Sequence, residues 1–370
     1  MCHRPTRAIV DLDAIRHNVG VVRRHVGPRC RIAAVVKADG YGHGALEVAR
    51  AVLDAGSTML CVALPEEGVA LRQRFPDAPI LVLGTILPSQ AGTVANSGLT
   101  QTVDDDASLS RLDSAAALCG RPARVHLKID TGMSRLGVEP EDAVRFMRRA
   151  REHRHIEVEG VYSHFATSEE PDQTFARRQL ERFGATVAEL EQDGFTFELT
   201  HMANSAAVLS IPESHLDMVR TGIILYGLRP APHLGDDLRP AMTVVSQVTK
   251  LRTLPAGTPV SYGATYVTER ARRIATIPMG YADGYRRGLS NRFHVLIRGQ
   301  QAPVVGRVCM DMFMVDVSEV SGVEKGDEAL ILGKKGSDHL PAEEMAQTLH
   351  TIPYEVVTGI TRRVPRTYMN

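Results

Sequence analysis

The sequence predicts an α/β fold, a (β/α)8 TIM-like barrel followed by a second, mostly antiparallel β domain, on three observations. Short β-type runs alternate with longer segments of helical period from about Asp13 to Arg229. Eight such runs occur, the number that closes a parallel barrel. After a proline-rich break, LRPAPHLGDDLRP, the texture changes to short β-branched runs.

The eight runs are RIAAVVK ending at Lys37, TMLCVA from Thr58, PILVLG from Pro79, LTQTV from Leu99, ARVHLKID from Ala123, IEVEGVYSH from Ile156, FELTH from Phe197 and HLDMVR ending at Arg220. The first intervening helix shows its period directly. Leu12, Ile15, Val19, Val22 and Val26 recur at steps of three and four, which makes one apolar stripe. Beyond the break, TVVSQVTKLRTL, RRIATIPMG, FHVLIRGQ, APVVGRV, FMVDV and EALILG are separated by Gly, Pro and Asn, as in an antiparallel sheet. The expected domains are a barrel over residues 10–230 and a β domain over 231–370, the latter joined by an N-terminal strand within 1–9.

A chain of 370 residues suits two domains. Its 44% hydrophobic and 23% charged residues exclude disordered and fibrous classes. The 43 basic residues balance 43 acidic ones, so no global field gathers nucleic acid or an anionic membrane surface. No run of about eighteen apolar residues suggests a membrane span. Cys2, Cys30, Cys61, Cys119 and Cys309 are scattered and form no CxxC pair, which points to reduced thiols in a cytoplasm rather than a disulfide framework or zinc site. The fourteen histidines include no HExxH, so no metal is expected.

Chemistry collects at strand ends. AVVKADGYGHG places Lys37 at the end of the first barrel strand, before a glycine-rich turn. A lone lysine there reads as a solvated loop residue, but in a barrel that end opens on the catalytic face, where a lysine can form a Schiff base with a carbonyl cofactor. In ARVHLKIDTGMSRLG, alternation puts Val125, Leu127 and Ile129 on one face and His126, Lys128 and Asp130 on the other. That polar set should point into the barrel mouth or a satisfied polar network. His164 ends strand six, and Asn204 and Ser205 follow strand seven. Arg220 ends strand eight, with Thr221, Gly222 and Ile223 opening a turn of the kind that holds phosphate in barrels. Taken alone, Tyr262 and Tyr354 read equally as packed aromatics with bonded hydroxyls. Cys309 reads as a structural thiol, since no base accompanies it.

An ordered series of motifs narrows this. VVKADGYGHG, KIDTGMSRLG, SHFA, MANSA, VRTGIILYG, SYGATY, MGYADGYRR, GRVCMDMFMVD and TIPYEVVTGITRRVPR run from the first barrel strand to the carboxyl terminus, and in that order the chain resembles the alanine racemases. The resemblance implies an isomerase of the cytoplasm that interconverts L-alanine and D-alanine, a peptidoglycan precursor, by two-base proton transfer at the substrate α-carbon. It implies pyridoxal 5'-phosphate held as an imine by Lys37, with Lys37 and Tyr262 as the acid/base pair. Tyr41, Ser205, Tyr354 and the backbone at Gly222 and Ile223 would hold the phosphate. Arg220 would face the pyridine nitrogen, supported by His164. Arg135 and Met310 would receive the substrate carboxylate, and Lys128 stands where a carbamylated lysine often braces that arginine. It further implies a homodimer with shared active sites, Tyr262 serving the other subunit. The alternatives are a pyridoxal-phosphate carrier, against which the second domain weighs, a decarboxylase of related architecture, against which the lack of a Gly-Gly pair weighs, and a barrel that binds phosphate without that cofactor.

Overall fold

The computed structural model describes residues 4–235 and 237–370; Cys2 and the start of the expected N-terminal strand lie outside the described residues. The chain divides into two compact units, each considered separately below. One comprises Ile15–Gly40 and Ala45–Leu238, the other the amino-terminal stretch through Ala14, Tyr41–Gly44 and Arg239–Asn370.

The first strand of the chain, β1 (Arg7–Asp11), belongs to the second unit. Eight strands then build the first unit in parallel: β2 (Arg31–Val35), β3 (Met59–Val62), β4 (Ile80–Val82), β5 (Thr100–Val103), β6 (Ala123–Lys128), β7 (Ile156–Tyr162), β8 (Leu199–His201) and β9 (Met218–Thr221). Their order is β8-β7-β6-β5-β4-β3-β2-β9, each strand beside its predecessor, with β9 returning to pair with β2. Strands β3, β4 and β5 are buried at every position, as expected where helices cover one face and other strands the other. In the helix Leu12–Val26 the apolar stripe is buried through Leu12, Ile15, Val19 and Val22 and emerges only at Val26.

The barrel is nearly closed. Between β8 and β9 no strand ladder forms among the described residues; instead the Asp217 N–H donates to the Thr200 carbonyl at 3.1 Å and the Arg220 N–H to that of Ala203 at 3.0 Å. With β8 only three residues long, two bonds at its margins do what a ladder would do elsewhere.

The second unit adds β10 (Met242–Gln247), β11 (Lys250–Leu254), β12 (Pro259–Val260), β13 (Tyr266–Val267), β14 (Arg272–Ile277), β15 (His294–Ile297), β16 (Gln300–Pro303), β17 (Phe313–Asp316), β18 (Glu328–Lys335), β19 (Asp338–Leu340) and β20 (Arg366–Met369). Its main sheet runs β16-β15-β18-β10-β1-β20 with β19 on β18, and only the β1–β20 pair is parallel. A three-stranded sheet β11-β14-β17 and the hairpin β12-β13 complete it. Sequence period did not disclose β12, β13, β19 or β20, nor the helices Ala342–Leu349 and Pro353–Thr358; the strands β12 and β13, of two residues each, carry too few positions to show one. No helix among the described residues is long and apolar enough to cross a membrane.

Candidate active site

In the first unit the chemistry gathers where the strands end. Lys37 stands two residues beyond β2 and begins a turn of the wrong hand for L-residues. Ala38, Asp39 and Gly40 have φ/ψ of 53/48, 55/48 and 60/46, and Tyr41 has φ 52. Each non-glycine residue held this way costs roughly 1–2 kcal/mol, so the turn needs external support. Glu67 provides it: Oε1 accepts the Ala38 N–H at 2.6 Å, while Oε2 accepts those of Ala63 at 2.8 Å and Leu64 at 3.2 Å. Asp39 Oδ1 closes the far side by accepting the Ala45 N–H at 3.0 Å. The Lys37 amine is thereby fixed half-buried. Burial, and then the charge of Arg135, lower its pKa, with Glu67 and Cys61 opposing.

The loop after β6 is shaped by Asp130, whose Oδ1 accepts the N–H groups of Gly132, Met133 and Ser134 at 2.8, 3.0 and 3.1 Å. It presents Arg135 at the surface. Lys128, at the end of β6, is 6% exposed; its Nζ donates to the Ile129 carbonyl at 3.2 Å and lies 5.0 Å from the Tyr162 ring centre. Burial first, then the charge of Arg220, brings its pKa down to about 7.

Arg220, at 3% exposure, is held from several sides. Its Nη1 donates to His201 Nδ1 at 2.6 Å; its Nη2 donates to the carbonyls of Ser163 at 2.7 Å and Met202 at 3.0 Å and to His164 Nδ1 at 3.1 Å. Burial, then the charges of Arg220, Lys128, Arg135 and Lys37, keeps His164 well below the usual histidine range. Next to Arg220, the Gly222 N–H donates to Ser205 Oγ at 2.9 Å, Ser205 opening a helix capped by Asn204. The buried Thr221 Oγ1 has no hydrogen-bond partner among the described residues.

These residues fit pyridoxal phosphate: a lysine of lowered pKa just beyond a strand end, a buried guanidinium with no carboxylate in ion-pair range among the described residues, and an unpartnered hydroxyl beside Gly222 where a phosphate oxygen would be received. Cys61 is buried, and its thiol, pushed up to about 12 by burial, is inert.

The second unit holds the other expected residues. Tyr262 lies on a turn with Ser261, Gly263 and Ala264 at φ 66, 71 and 46, and it is 72% exposed. Met310 is 51% exposed, in a loop pinned through the Tyr281 N–H to the Cys309 carbonyl and the Ala282 N–H to the Met310 carbonyl, both at 3.0 Å. Among the described residues, Cys309 Sγ meets only Ser261 Oγ and the Arg307 carbonyl, at 3.5 and 3.6 Å. Tyr41 and Tyr354 lie with ring centres 6.0 Å apart. Beside Tyr41, the Gly42 carbonyl accepts both Nε and Nη2 of Arg366 at 3.0 and 2.9 Å. Only glycine serves at 42, since a Cβ would come within 2.4 Å of the Val357 carbonyl oxygen.

The sequence did not single out Glu67, His201, Glu159 or Tyr162. His126 appeared only as a member of a polar face. The signal for that face was alternation; for Glu67, one carboxylate among several in a helical run, there was none.

The alanine racemase N-terminal domain family matches residues 10–230 and its C-terminal domain family matches residues 241–368. The chain is 48% identical to the alanine racemase of Symbiobacterium thermophilum over 99% of its length and 97% of that protein. It is 46% identical to alanine racemase 2 of Caldanaerobacter subterraneus over 99% and 95%. Among solved structures, alanine racemase from D-cycloserine-producing Streptomyces lavendulae superposes with a TM-score of 0.95 at 41% identity, covering 100% of this chain and 98% of that one. That of Bacillus anthracis with bound L-Ala-P gives 0.94 at 35%, covering 100% and 96%.

Proposed function

The chain belongs to the alanine racemase family, isomerases that interconvert L- and D-alanine, and on that premise we propose that it performs this reaction with pyridoxal phosphate anchored by Lys37, using Lys37 and Tyr262 as its two acid/base groups. The observation that carries the reading is Lys37 itself: an amine of lowered pKa, held beyond β2 by a left-handed turn that Glu67 supports. When bound, the cofactor would supply an electron-withdrawing conjugated ring that stabilises negative charge at the substrate α-carbon.

The chain's own residues do the rest. Enzymes commonly lower barriers by about 8–23 kcal/mol, while one positioned acid or base contributes only about a 100- to 10,000-fold effect. Two proton-transfer groups thus need both the cofactor and exact placement. Lys37 moves the α-proton on one face and Tyr262, serving the partner subunit's barrel, on the other. Ordinary lysine and tyrosine pKa values near 10.4 and 10 are too high for a base near neutrality, and the lowering at Lys37 is in the required direction. Tyr41, Ser205, Tyr354 and the backbone of Gly222 and Ile223 hold phosphate. Arg220 would face the pyridine nitrogen of the bound cofactor and, being cationic, would discourage its protonation; His164 would support Arg220. Arg135 and Met310 receive the substrate carboxylate. Lys128, largely neutral above its pKa of about 7, can add carbon dioxide through Nζ with release of a proton, giving a carbamate that braces Arg135.

A homodimer is supported by the exposure in the second unit of Tyr262, Tyr281, Met310, Met312 and Ile352, an apolar set suited to burial against another copy. Cytoplasmic placement is supported by Cys30, Cys61, Cys119 and Cys309 being free; the D-alanine formed there would serve as a peptidoglycan precursor. The test is borohydride reduction of protein soaked in pyridoxal phosphate, with D-alanine formation from L-alanine followed in parallel. A mass adduct confined to the Lys37 peptide and appearance of D-alanine are expected. Colourless protein without an adduct, or an adduct elsewhere, overturns the assignment.

A further inference from the structure

Arg220 is buried, yet among the described residues no carboxylate approaches within ion-pair distance. The compensating anion is farther away and is reached through two imidazoles. His201 Nδ1 lies 2.6 Å from Arg220 Nη1, His201 Nε2 lies 2.8 Å from His126 Nδ1, and His126 Nε2 lies 3.0 Å from Glu159 Oε2. All three side chains belong to the barrel unit, and both imidazoles are fully buried.

The direction of every bond in this chain follows from its first member. A guanidinium donates and cannot accept, so His201 Nδ1 must carry a lone pair. A neutral imidazole then has its proton on Nε2, and that proton is donated to His126 Nδ1. By the same step His126 carries its proton on Nε2 and donates it to the Glu159 carboxylate, which is an acceptor. A proton on either Nδ1 would break the sequence, so both rings are fixed as neutral Nε2–H tautomers. Burial, joined at His201 by the charge of Arg220, acts in the same sense by lowering both histidines.

Two local features show that the strands are shaped for this chain. Pairing of β6 with β7 shifts between Val125↔Val158 and His126↔Gly160, leaving Glu159 as the extra residue of a bulge, a device that re-aims a side chain. The next residue must be glycine: a Cβ at Gly160 would lie 2.7 Å from the Leu199 carbonyl oxygen and 3.0 Å from His126 Cε1. The bulge directs Glu159, and the missing side chain leaves room for His126. Thr100 Oγ1 also donates to Glu159 Oε2 at 3.4 Å, and Arg124 stands 3.8 Å from its Oε1.

We propose that His201, His126 and Glu159 form a one-way hydrogen-bond relay that positions Arg220, Glu159 anchoring it electrostatically and the two imidazoles transmitting a fixed donor direction. Its catalytic consequence rests on the reading of Arg220 given above; its tautomers do not. His126 and Glu159 are positioning residues, acting on Arg220 through His201.

The decisive measurement is the ring-nitrogen spectrum of the full-length protein labelled with 15N-histidine, recorded without added cofactor. Both histidines should show a bare Nδ1 and a protonated Nε2; an Nδ1–H tautomer or a doubly protonated ring at either position overturns the relay. Glu159→Gln keeps an acceptor and should retain both tautomers, with kcat within about threefold of the parent. Glu159→Leu removes the acceptor and should release His126 into mixed tautomers and lower kcat about tenfold, the KM for alanine changing less than about twofold. Unchanged tautomers in that variant, or changed tautomers with unchanged kcat, overturn the positioning role. The parent spectrum decides even if Glu159→Leu does not fold. If instead Lys37 does not anchor the cofactor, borohydride labelling fails while the tautomers stand, so the two failures are distinguishable.

Discussion

Replacing Glu67 with Gln tests whether one carboxylate holds the turn that presents Lys37. The parent side chain accepts three backbone N–H groups, at 2.6, 2.8 and 3.2 Å, two on one oxygen and one on the other. Glutamine keeps one acceptor oxygen and turns an NH2 toward the remaining donor. With the oxygen facing Ala63 and Leu64, Ala38 loses its partner and the surviving bonds lose their charge assistance. Bonds to charged groups are worth about 1.5–3 kcal/mol and neutral ones about 1. Allowing for water reaching the exposed Ala38 amide, the loss comes to about 2 kcal/mol, or roughly thirtyfold in the population of the opened turn. Amide hydrogen exchange reads this directly. Gly40, whose N–H donates to the Val36 carbonyl at 2.9 Å, and Ala45 should exchange ten- to thirtyfold faster, while β2 and β3 remain protected. Glu67 also opposes the lowering of the Lys37 pKa, so its neutralisation should move the pH midpoint of imine formation with pyridoxal phosphate downward. Unchanged exchange at Gly40 and Ala45 together with an unmoved midpoint would refute the assignment of this role to Glu67.

Three further outcomes are expected. Lys128→Met should stabilise the apoprotein at neutral pH. The buried amine has a folded pKa of about 7 against 10.5, so the unfolded chain binds its proton more tightly; the penalty, on the order of 5 kcal/mol, is fully present below about pH 7 and vanishes as pH rises through the ordinary lysine range. Denaturant melts at pH 6.5 and pH 10 should therefore show a gain that shrinks with pH, and a gain equal at both would contradict the assignment. Gly160→Ala should cost about 1–3 kcal/mol, because the new methyl meets the fixed Leu199 carbonyl at 2.7 Å as well as His126; an unchanged melting temperature would mean β7 and β8 can part freely. Inactive Lys37→Ala and Tyr262→Phe chains, mixed under conditions of proven subunit exchange, should regain activity through hybrid sites, and no recovery would place both groups of each site in one chain.

The legibility of this protein divides along a physical line. Side-chain period is local: alternation reports which residues of β6 share a face, and a step of three or four reports the buried stripe of Leu12–Val26, so the barrel strands could be read from neighbouring residues alone, with Lys37 read as the last residue of a strand that in fact ends at Val35. The ordered motifs added the family, because they preserve residue identity where geometry demands it. The two-residue strands β12 and β13 escaped for the converse reason, having too few residues to declare a period.

The chain's letters thus determined the β/α alternation, the change of texture after Tyr226 and the set of candidate groups. Only the folded barrel decided that Arg220 on β9, His201 on β8, His126 on β6 and Glu159 on the β7 bulge would meet in one line of bonds. Hydrogen bonds join atoms according to distance and donor direction, which parallel strand order and a one-residue shift in register create; a list of residues contains neither.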